Sequence, residues 1–176
     1  DSGFAAQYAA ESNFQAIAKD RQKYEELRPR FPPQDLIYML KRKQKALVKL
    51  ADKYDAVINM GVPDWGVAAL LEKAEAYENF VKSYRNLSIP KKYQGEERAE
   101  TEKALKQIDD QMVAPLETKM KEIVKVCVDK ASEFHVTNEY STKCQEKLDG
   151  QSGTTIGLLP QPNYWNTRIS GGVAKK

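Results

Sequence analysis

Apolar residues recur every three or four positions along most of this chain, the spacing that one face of an α-helix requires. The clearest repeat consists of Val67, Leu70, Ala74, Tyr77, Val81 and Tyr84. The same period predicts helices over residues 4–28, 34–59, 64–87, 96–112 and 116–134, followed by a short helix that ends near 148. Pro115 either begins a new helix or kinks a continuous one. We therefore predict an all-α chain of five or six helices.

Turn residues set the expected boundaries between these helices. The turn at 59–63 contains Gly61, which suits a left-handed conformation after a helix, and Asp64 is expected to cap the next helix. Asn138 is expected to cap the last one. After Gly150 the helical period stops and Gly, Ser, Thr, Asn and Pro dominate, so we divide the chain into a helical domain (1–150) and an irregular tail or linker (151–176).

Composition narrows the functional classes. The 176 residues are 41% hydrophobic and 30% charged, with a net charge of +3, which is typical of a folded helical protein. No stretch approaches the ~20 apolar residues of a membrane span. A nucleic-acid-binding domain is usually more basic than this. We therefore expect no nucleic-acid partner. The basic run from Lys41 to Lys45 is the one feature that favours phosphate binding.

Motifs of catalysis are missing from the sequence. It contains no Walker loop, no GxGxxG turn and no HExxH helix, and its single histidine, His135, cannot build a multi-histidine metal site. Cys127 and His135 are eight positions apart, and Cys127 falls on an apolar stripe, so a core position is favoured over a nucleophile–base pair. We expect a non-enzymatic protein with no cofactor and no metal.

The two cysteines, Cys127 and Cys144, fall on successive predicted helices. If those helices fold back on each other, the thiols can approach to bonding distance. A disulfide, which would indicate an oxidising compartment, and two buried thiols acting as small apolar residues both remain open.

Aromatic residues provide the candidate partner contacts: Trp65, Tyr77 and Tyr84. Trp65 begins a predicted helix beside a proline turn, where it is either a packing anchor or a partner contact. The same three residues would line a small-molecule pocket, and the alternative function is therefore a small-molecule-binding or enzyme-associated helical domain. Further tyrosines are expected near the edges of the fold: Tyr8, Tyr24, Tyr38 and Tyr93.

Two ordered sets of residues resemble a known family. The first is Tyr54-x6-Gly61-x3-Trp65-x2-Ala68-Ala69 with Tyr77-Glu78-x-Phe80. The second is Pro115-Leu116-Glu117-x-Lys119 with Cys127, Ala131, Asn138-Glu139-Tyr140 and Leu148. Over residues 10–150 the chain resembles the C-terminal part of large tetratricopeptide-repeat proteins of deltaproteobacteria, which include outer-membrane-associated proteins of adventurous gliding motility.

The resemblance implies a TPR-like antiparallel array of helices, an α-solenoid, in the periplasm. It also implies protein partners in a cell-envelope complex and association of the full-length protein with the outer membrane. A chain that begins with Asp is expected to be a fragment of a longer array. The standard repeat begins with Trp-x2-Leu-Gly-x2-Tyr, whereas Trp65 is followed by Ala68 and Ala69, so the sequence departs from the repeat that forms the standard peptide groove. The resemblance carries over no functional residue, because the family pattern consists of packing positions and contains no catalytic motif.

Overall fold

The computed structural model describes residues 2–151, in which helices are joined by turns and loops and no strand occurs. Its seven α-helices, with one π-helical segment before α6, are α1 (Ser2–Ala16), α2 (Ala18–Glu25), α3 (Pro33–Ile58), α4 (Pro63–Arg85), α5 (Gly95–Ile108), the π-helical segment (Asp109–Val113), α6 (Ala114–Glu133) and α7 (Glu139–Gln151). The all-α prediction is confirmed for these residues, while the predicted tail lies almost wholly outside them.

The first predicted helix is divided in two at Ile17. Its amide donates a hydrogen bond to the carbonyl of Phe14, 3.2 Å away and three residues back, so the regular four-residue pattern is interrupted for one turn. Helical bonding then resumes, since the amide of Arg21 bonds to the carbonyl of Ile17 at 2.9 Å. Apolar periodicity alone did not reveal this break.

Pro115 lies in the first turn of α6, directly after the π-helical segment. A proline has no N–H and its ring crowds the preceding turn, so a regular helix cannot pass through it unchanged. The wider π-helical turn absorbs that disturbance, and the chain remains helical from Gly95 to Glu133.

The helix α4 lies at the centre of the described fold and packs against α1, α3, α6 and α7. Its small residues Ala68, Ala69, Ala74 and Ala76 are buried. A short turn joins α3 to α4, and the Asp55 carboxylate accepts a 2.7 Å hydrogen bond from Lys73 across the pair, as expected for antiparallel neighbours. Gly61 in this turn has a φ of 71°, the left-handed conformation that was predicted.

The caps differ in one respect from expectation. Pro63 begins α4, with Val62 before it, so Asp64 lies inside the first turn and is not the cap; the prediction for Asp64 was wrong because proline already suits the first helical position. The prediction for Asn138 is confirmed, since its side-chain oxygen accepts hydrogen bonds from the amides of Tyr140 and Ser141, both 3.0 Å away.

Cys127 on α6 and Cys144 on α7 are joined by a disulfide, with their Cα atoms 6.0 Å apart. Both residues are buried in the core. The bond joins α6 to α7, both of which pack against α4. No helix among residues 2–151 is long and apolar enough to cross a membrane.

Candidate interaction surfaces

Tyr77 and Tyr84, two of the expected partner contacts, lie in the core. Their exposed fractions are 4% and 6%, so a partner would have almost no surface of either residue to touch. The hydroxyl of Tyr84 donates to the carbonyl of Leu105 and fastens α5 to α4. Burial raises the pKa of Tyr84 to about 12. Both tyrosines serve packing in this structure.

Trp65 lies in an aromatic cluster at the end of the molecule where α3 meets α4. Its ring centroid is 5.3 Å from that of Phe14 and 6.4 Å from that of Tyr140. Phe14 also approaches Tyr140 at 6.1 Å and Tyr54 at 6.5 Å. These tilted and edge-on contacts are favourable for aromatic pairs. The cluster therefore fastens α1 to α3, α4 and α7.

Trp65 is only partly buried, which keeps part of its ring accessible. Its indole N–H is buried and has no hydrogen-bond partner among the described residues. An unpaired buried donor costs free energy, so this tryptophan is a packing anchor with one unused polar group. The structure brings it next to Phe14, and it does not bring it together with Tyr77 and Tyr84 in one open pocket.

Beyond the aromatic cluster, the first two turns of α1 extend past the packed helices. Phe4 and Tyr8 are spaced by four residues, which places them on one side of the helix, and they are 77% and 66% exposed. The residues between them are exposed as well. Asn13, one turn further along α1, already reaches Met60 at the end of α3, so the exposed turns project from that end. We call residues 3–8 the α1 overhang.

A shallow apolar cleft of about 280 Å³ opens at the same end of the molecule. Its apolar lining includes Ile58, Val62, Val67, Leu70, Val126 and Phe134. Phe134 is half exposed at its rim, with Met60 nearby in the α3–α4 turn. The end of the fold thus carries several large apolar side chains that the described residues do not cover.

Of the four tyrosines expected near the edges of the fold, two are exposed and two are buried. Tyr8 and Tyr38 are exposed, whereas Tyr24 and Tyr93 are buried. The hydroxyl of Tyr24 donates a 2.7 Å hydrogen bond to the carbonyl of Ala76, which explains how a polar tip is tolerated inside. Tyr93 packs against Phe31 with ring centroids 6.0 Å apart.

The basic run at 41–45 is not one continuous patch. Lys43 points inward and is 1% exposed, while Lys41, Arg42 and Lys45 face outward. The Lys43 ammonium donates to the carbonyls of Leu27 at 2.8 Å and Tyr24 at 3.3 Å, and lies 4.3 Å from the centre of the Tyr24 ring. It thereby satisfies carbonyls just past the end of α2. Burial lowers the pKa of Lys43 to about 8.

Four accessible cations of α3 follow its flank beside α2: Arg42, Lys45, Lys49 and Lys53. They are spaced by three, four and four residues. In the sequence, this spacing is indistinguishable from that of an ordinary solvent-exposed helix face. The α1 overhang was also missed, because the apolar pattern of residues 4–8 is indistinguishable from that of a buried helix.

A different set of charges is neutralised within the fold. Arg21 on α2 pairs with Glu72 and Glu75 of α4, and Lys147 on α7 pairs with Glu75 and Glu78. Burial raises the pKa of Glu78, whereas the hydrogen bonds and charges of Lys147 and Lys82 lower it by more. The pKa of Glu78 is therefore below its ordinary value. These ion pairs bridge helices and serve the fold.

The described residues contain no cluster of His, Cys, Asp and Glu that could hold a metal ion. The disulfide occupies the sulfur of Cys127, so in this state it cannot act as a nucleophile toward a substrate. Comparison with family models, curated proteins and solved structures finds no match for this chain.

Proposed function

We propose that this chain is a non-enzymatic scaffold that holds protein partners in a bacterial cell-envelope assembly. The observation that carries the proposal is the α1 overhang, where Phe4 and Tyr8 are 77% and 66% exposed. Large aromatic side chains dominate the energy of many protein interfaces because they bury much area at little conformational cost. The overhang is held in place by the Phe14–Trp65–Tyr140 cluster.

The finer parts of the proposal rest on the resemblance described above. They are a TPR-like antiparallel helical repeat, a periplasmic location with outer-membrane association of the full-length protein, and a role in gliding motility or predation machinery. The Cys127–Cys144 pairing supports the periplasmic part, because disulfides persist in oxidising compartments and are rare in a reducing cytosol.

Site-specific photo-crosslinking in the native cell tests the scaffold function. A photo-reactive phenylalanine analogue at Tyr8 is expected to form protein adducts that mass spectrometry identifies. The matched control places the same analogue at Val48, an exposed apolar position on α3. Adducts at Tyr8 no more frequent than those at Val48 would remove the observation on which the proposal depends.

The location has its own test. Thiol labelling of protein taken from the native cell, before any exposure to oxidant, reports whether Cys127 and Cys144 are bonded. A bonded pair is the expected result. Free thiols would contradict the periplasmic location while leaving a cytoplasmic scaffold possible.

The alternative is a small-molecule-binding helical domain. Its expected lining, Trp65, Tyr77 and Tyr84, does not form an open pocket, and the apolar cleft beside Phe134 has a volume of about 280 Å³, near the lower end for ligand sites. Thermal stabilisation by a small apolar metabolite, lost on Val62→Trp substitution, would favour this alternative over the scaffold.

A further inference from the structure

The basic charge of this protein is concentrated in one part of the chain. Residues 19–53 contain eleven Lys and Arg against five Asp and Glu, whereas the entire chain has a net charge of only +3. The remainder is therefore net negative. The excess falls on α2, α3 and their connection, so the two helices carry a local positive field that the overall charge conceals.

An open groove of about 800 Å³ runs between α2 and α3 within this region. Lys23 lies on its α2 side, and Arg42, Lys45, Lys49 and Lys53 follow its α3 side. The last four lie within twelve residues, or about 16 Å along a helix. The α3 side of the groove is thus lined by cations over a length that suits about three turns of a bound helix, whereas the α2 side also carries the carboxylates of Asp20 and Glu26.

Four of these five cations have no side-chain partner among the described residues. Lys53 pairs with Asp20, but Lys23, Arg42, Lys45 and Lys49 form no salt bridge and donate no side-chain hydrogen bond to any described residue. Elsewhere Arg85 bridges to Asp109 and Glu117, and Lys147 to Glu75 and Glu78. On this flank of α3, only the Lys53 end of the row is paired, so Arg42, Lys45 and Lys49 remain available to a partner.

The floor of the groove is not charged. It includes Leu27 and Ala46, both partly exposed, above the buried side chains of Tyr24 and Leu50. An apolar floor beside the cationic α3 rim is complementary to an amphipathic segment that carries carboxylates along one side of its apolar face. Attraction between the α3 rim and such a segment would also accelerate its association.

The same features disfavour a nucleic acid. Tyr24 is 2% exposed, so it offers no ring for stacking a base. A polyanion held by charge alone would also leave the apolar floor unused.

A second copy of this chain fits less well. The exposed carboxylates of α5 include Glu96, Glu97 and Glu100, but the apolar residues of that helix, Leu105 and Ile108, are partly buried against its own core. An α5 helix from another copy would bring charge and no free apolar face.

We infer that the α2–α3 groove binds an acidic amphipathic segment of a partner protein. This inference rests on the proposed scaffold function and names the chemistry of one partner contact. The carboxylates of the segment pair with Arg42, Lys45 and Lys49, and its apolar face covers Leu27 and Ala46.

Fluorescence anisotropy with a labelled synthetic peptide tests the inference. The probe is a helical peptide of about 14 residues, roughly 21 Å long, with leucines on one face and glutamates along one side of that face. A second peptide has the same composition in scrambled order. The double variant Lys45→Glu, Lys49→Glu is compared with Lys119→Glu, Lys125→Glu, which reverses two exposed lysines of α6 that also lack ion pairs.

We expect the groove variant to weaken binding of the amphipathic peptide by about tenfold, corresponding to about 1.4 kcal/mol, and the α6 variant to change it by less than about twofold. The scrambled peptide is expected to bind more weakly than the ordered one. Circular dichroism checks that each variant folds. If the groove variant does not, Lys45→Gln with Lys49→Gln replaces it.

Several results would overturn the inference. The first two are an equal loss of peptide affinity in both double variants and equal binding of the ordered and scrambled peptides. The third is tighter binding of duplex DNA or of anionic phospholipid vesicles than of the amphipathic peptide. The fourth is self-association of the protein that only the groove variant abolishes. Photo-crosslinking at Tyr8 distinguishes failure of this inference from failure of the scaffold proposal. Adducts at Tyr8 without peptide binding would support the scaffold function and contradict binding in the groove. Peptide binding without adducts at Tyr8 would support binding in the groove and contradict the scaffold function as proposed.

Discussion

Two regions of the molecule differ in whether their cationic side chains form ion pairs. In the region formed by α4, α6 and α7, most cations are paired: Lys147 bridges to Glu75 and Glu78, and Arg85 to Asp109 and Glu117. In the α2–α3 pair, Arg42, Lys45 and Lys49 face solvent without partners, and Lys43 is buried with its charge held by backbone carbonyls.

The difference separates stability from recognition. Paired surface charges contribute little each, but they leave few unpaired cations over an apolar, disulfide-linked core. Unpaired cations beside one another repel, and a buried ammonium pays a desolvation cost. The α2–α3 pair therefore gives up stability that the α4–α6–α7 region retains, in the part of the fold where we propose that a partner binds.

The largest effect is expected in the core of α4. Phe80 is fully buried, and Phe80→Ala should lower the free energy of unfolding by about 3–5 kcal/mol, because it removes apolar contact and leaves a cavity. Urea denaturation followed by circular dichroism measures it. Val48→Ala, at an exposed position of α3, is the control and should cost less than about 0.5 kcal/mol. Similar costs at both positions would mean that the core does not centre on α4.

The disulfide should come next in size. Closing a loop of 17 residues between Cys127 and Cys144 restricts the unfolded chain and contributes about 3 kcal/mol. Reduction should therefore lower the midpoint of thermal unfolding. The double variant Cys127→Ser, Cys144→Ser serves as the control, because its midpoint should not respond to the reductant. A wild-type midpoint that also fails to respond would show that the bond does not stabilise the fold.

Helix positions were predictable from sequence because they depend on local period and turn chemistry. The stripes of α3 and α4 and the cap at Asn138 follow from residue type alone. Side-chain accessibility was less predictable, since it depends on which helices meet. Tyr77 and Tyr84 became core residues once α4 took the central place, and the exposure of Phe4 follows from how far α1 extends past its neighbours.

Lys43 shows the same limit most clearly. The sequence places it on the apolar stripe of α3, where a lysine ordinarily covers apolar surface with its aliphatic stem and keeps its ammonium in water. The structure buries the ammonium as well, at 1% exposure, against the carbonyls of Tyr24 and Leu27. Only the fold-back of α2 onto α3 supplies those carbonyls, and they are distant in sequence. The buried charge is therefore a property of the helix pair.

This burial predicts a pH dependence specific to the α2–α3 pair. The pKa of Lys43 is about 8 in the folded protein against an ordinary 10.5. Between these values the unfolded chain binds a proton that the folded chain has released, so stability rises with pH. From pH 8 to about 9.5 the free energy of unfolding should increase by about 1–2 kcal/mol. Urea denaturation at several pH values measures it.

The comparison of variants isolates the contribution of Lys43. Lys43→Met should abolish the rise, because methionine does not titrate, whereas Lys49→Met on the exposed flank of the same helix should retain it. Measurements stop below pH 10, because above it the tyrosines of the unfolded chain ionise. Burial raises the pKa of Tyr54 and Tyr84 in the folded protein to about 12, so ionisation at higher pH favours the unfolded chain. If the free energy of unfolding of Lys43→Met still rises with pH, another group causes the pH dependence. The burial of Lys43 would then not be a difference in stability between the two regions.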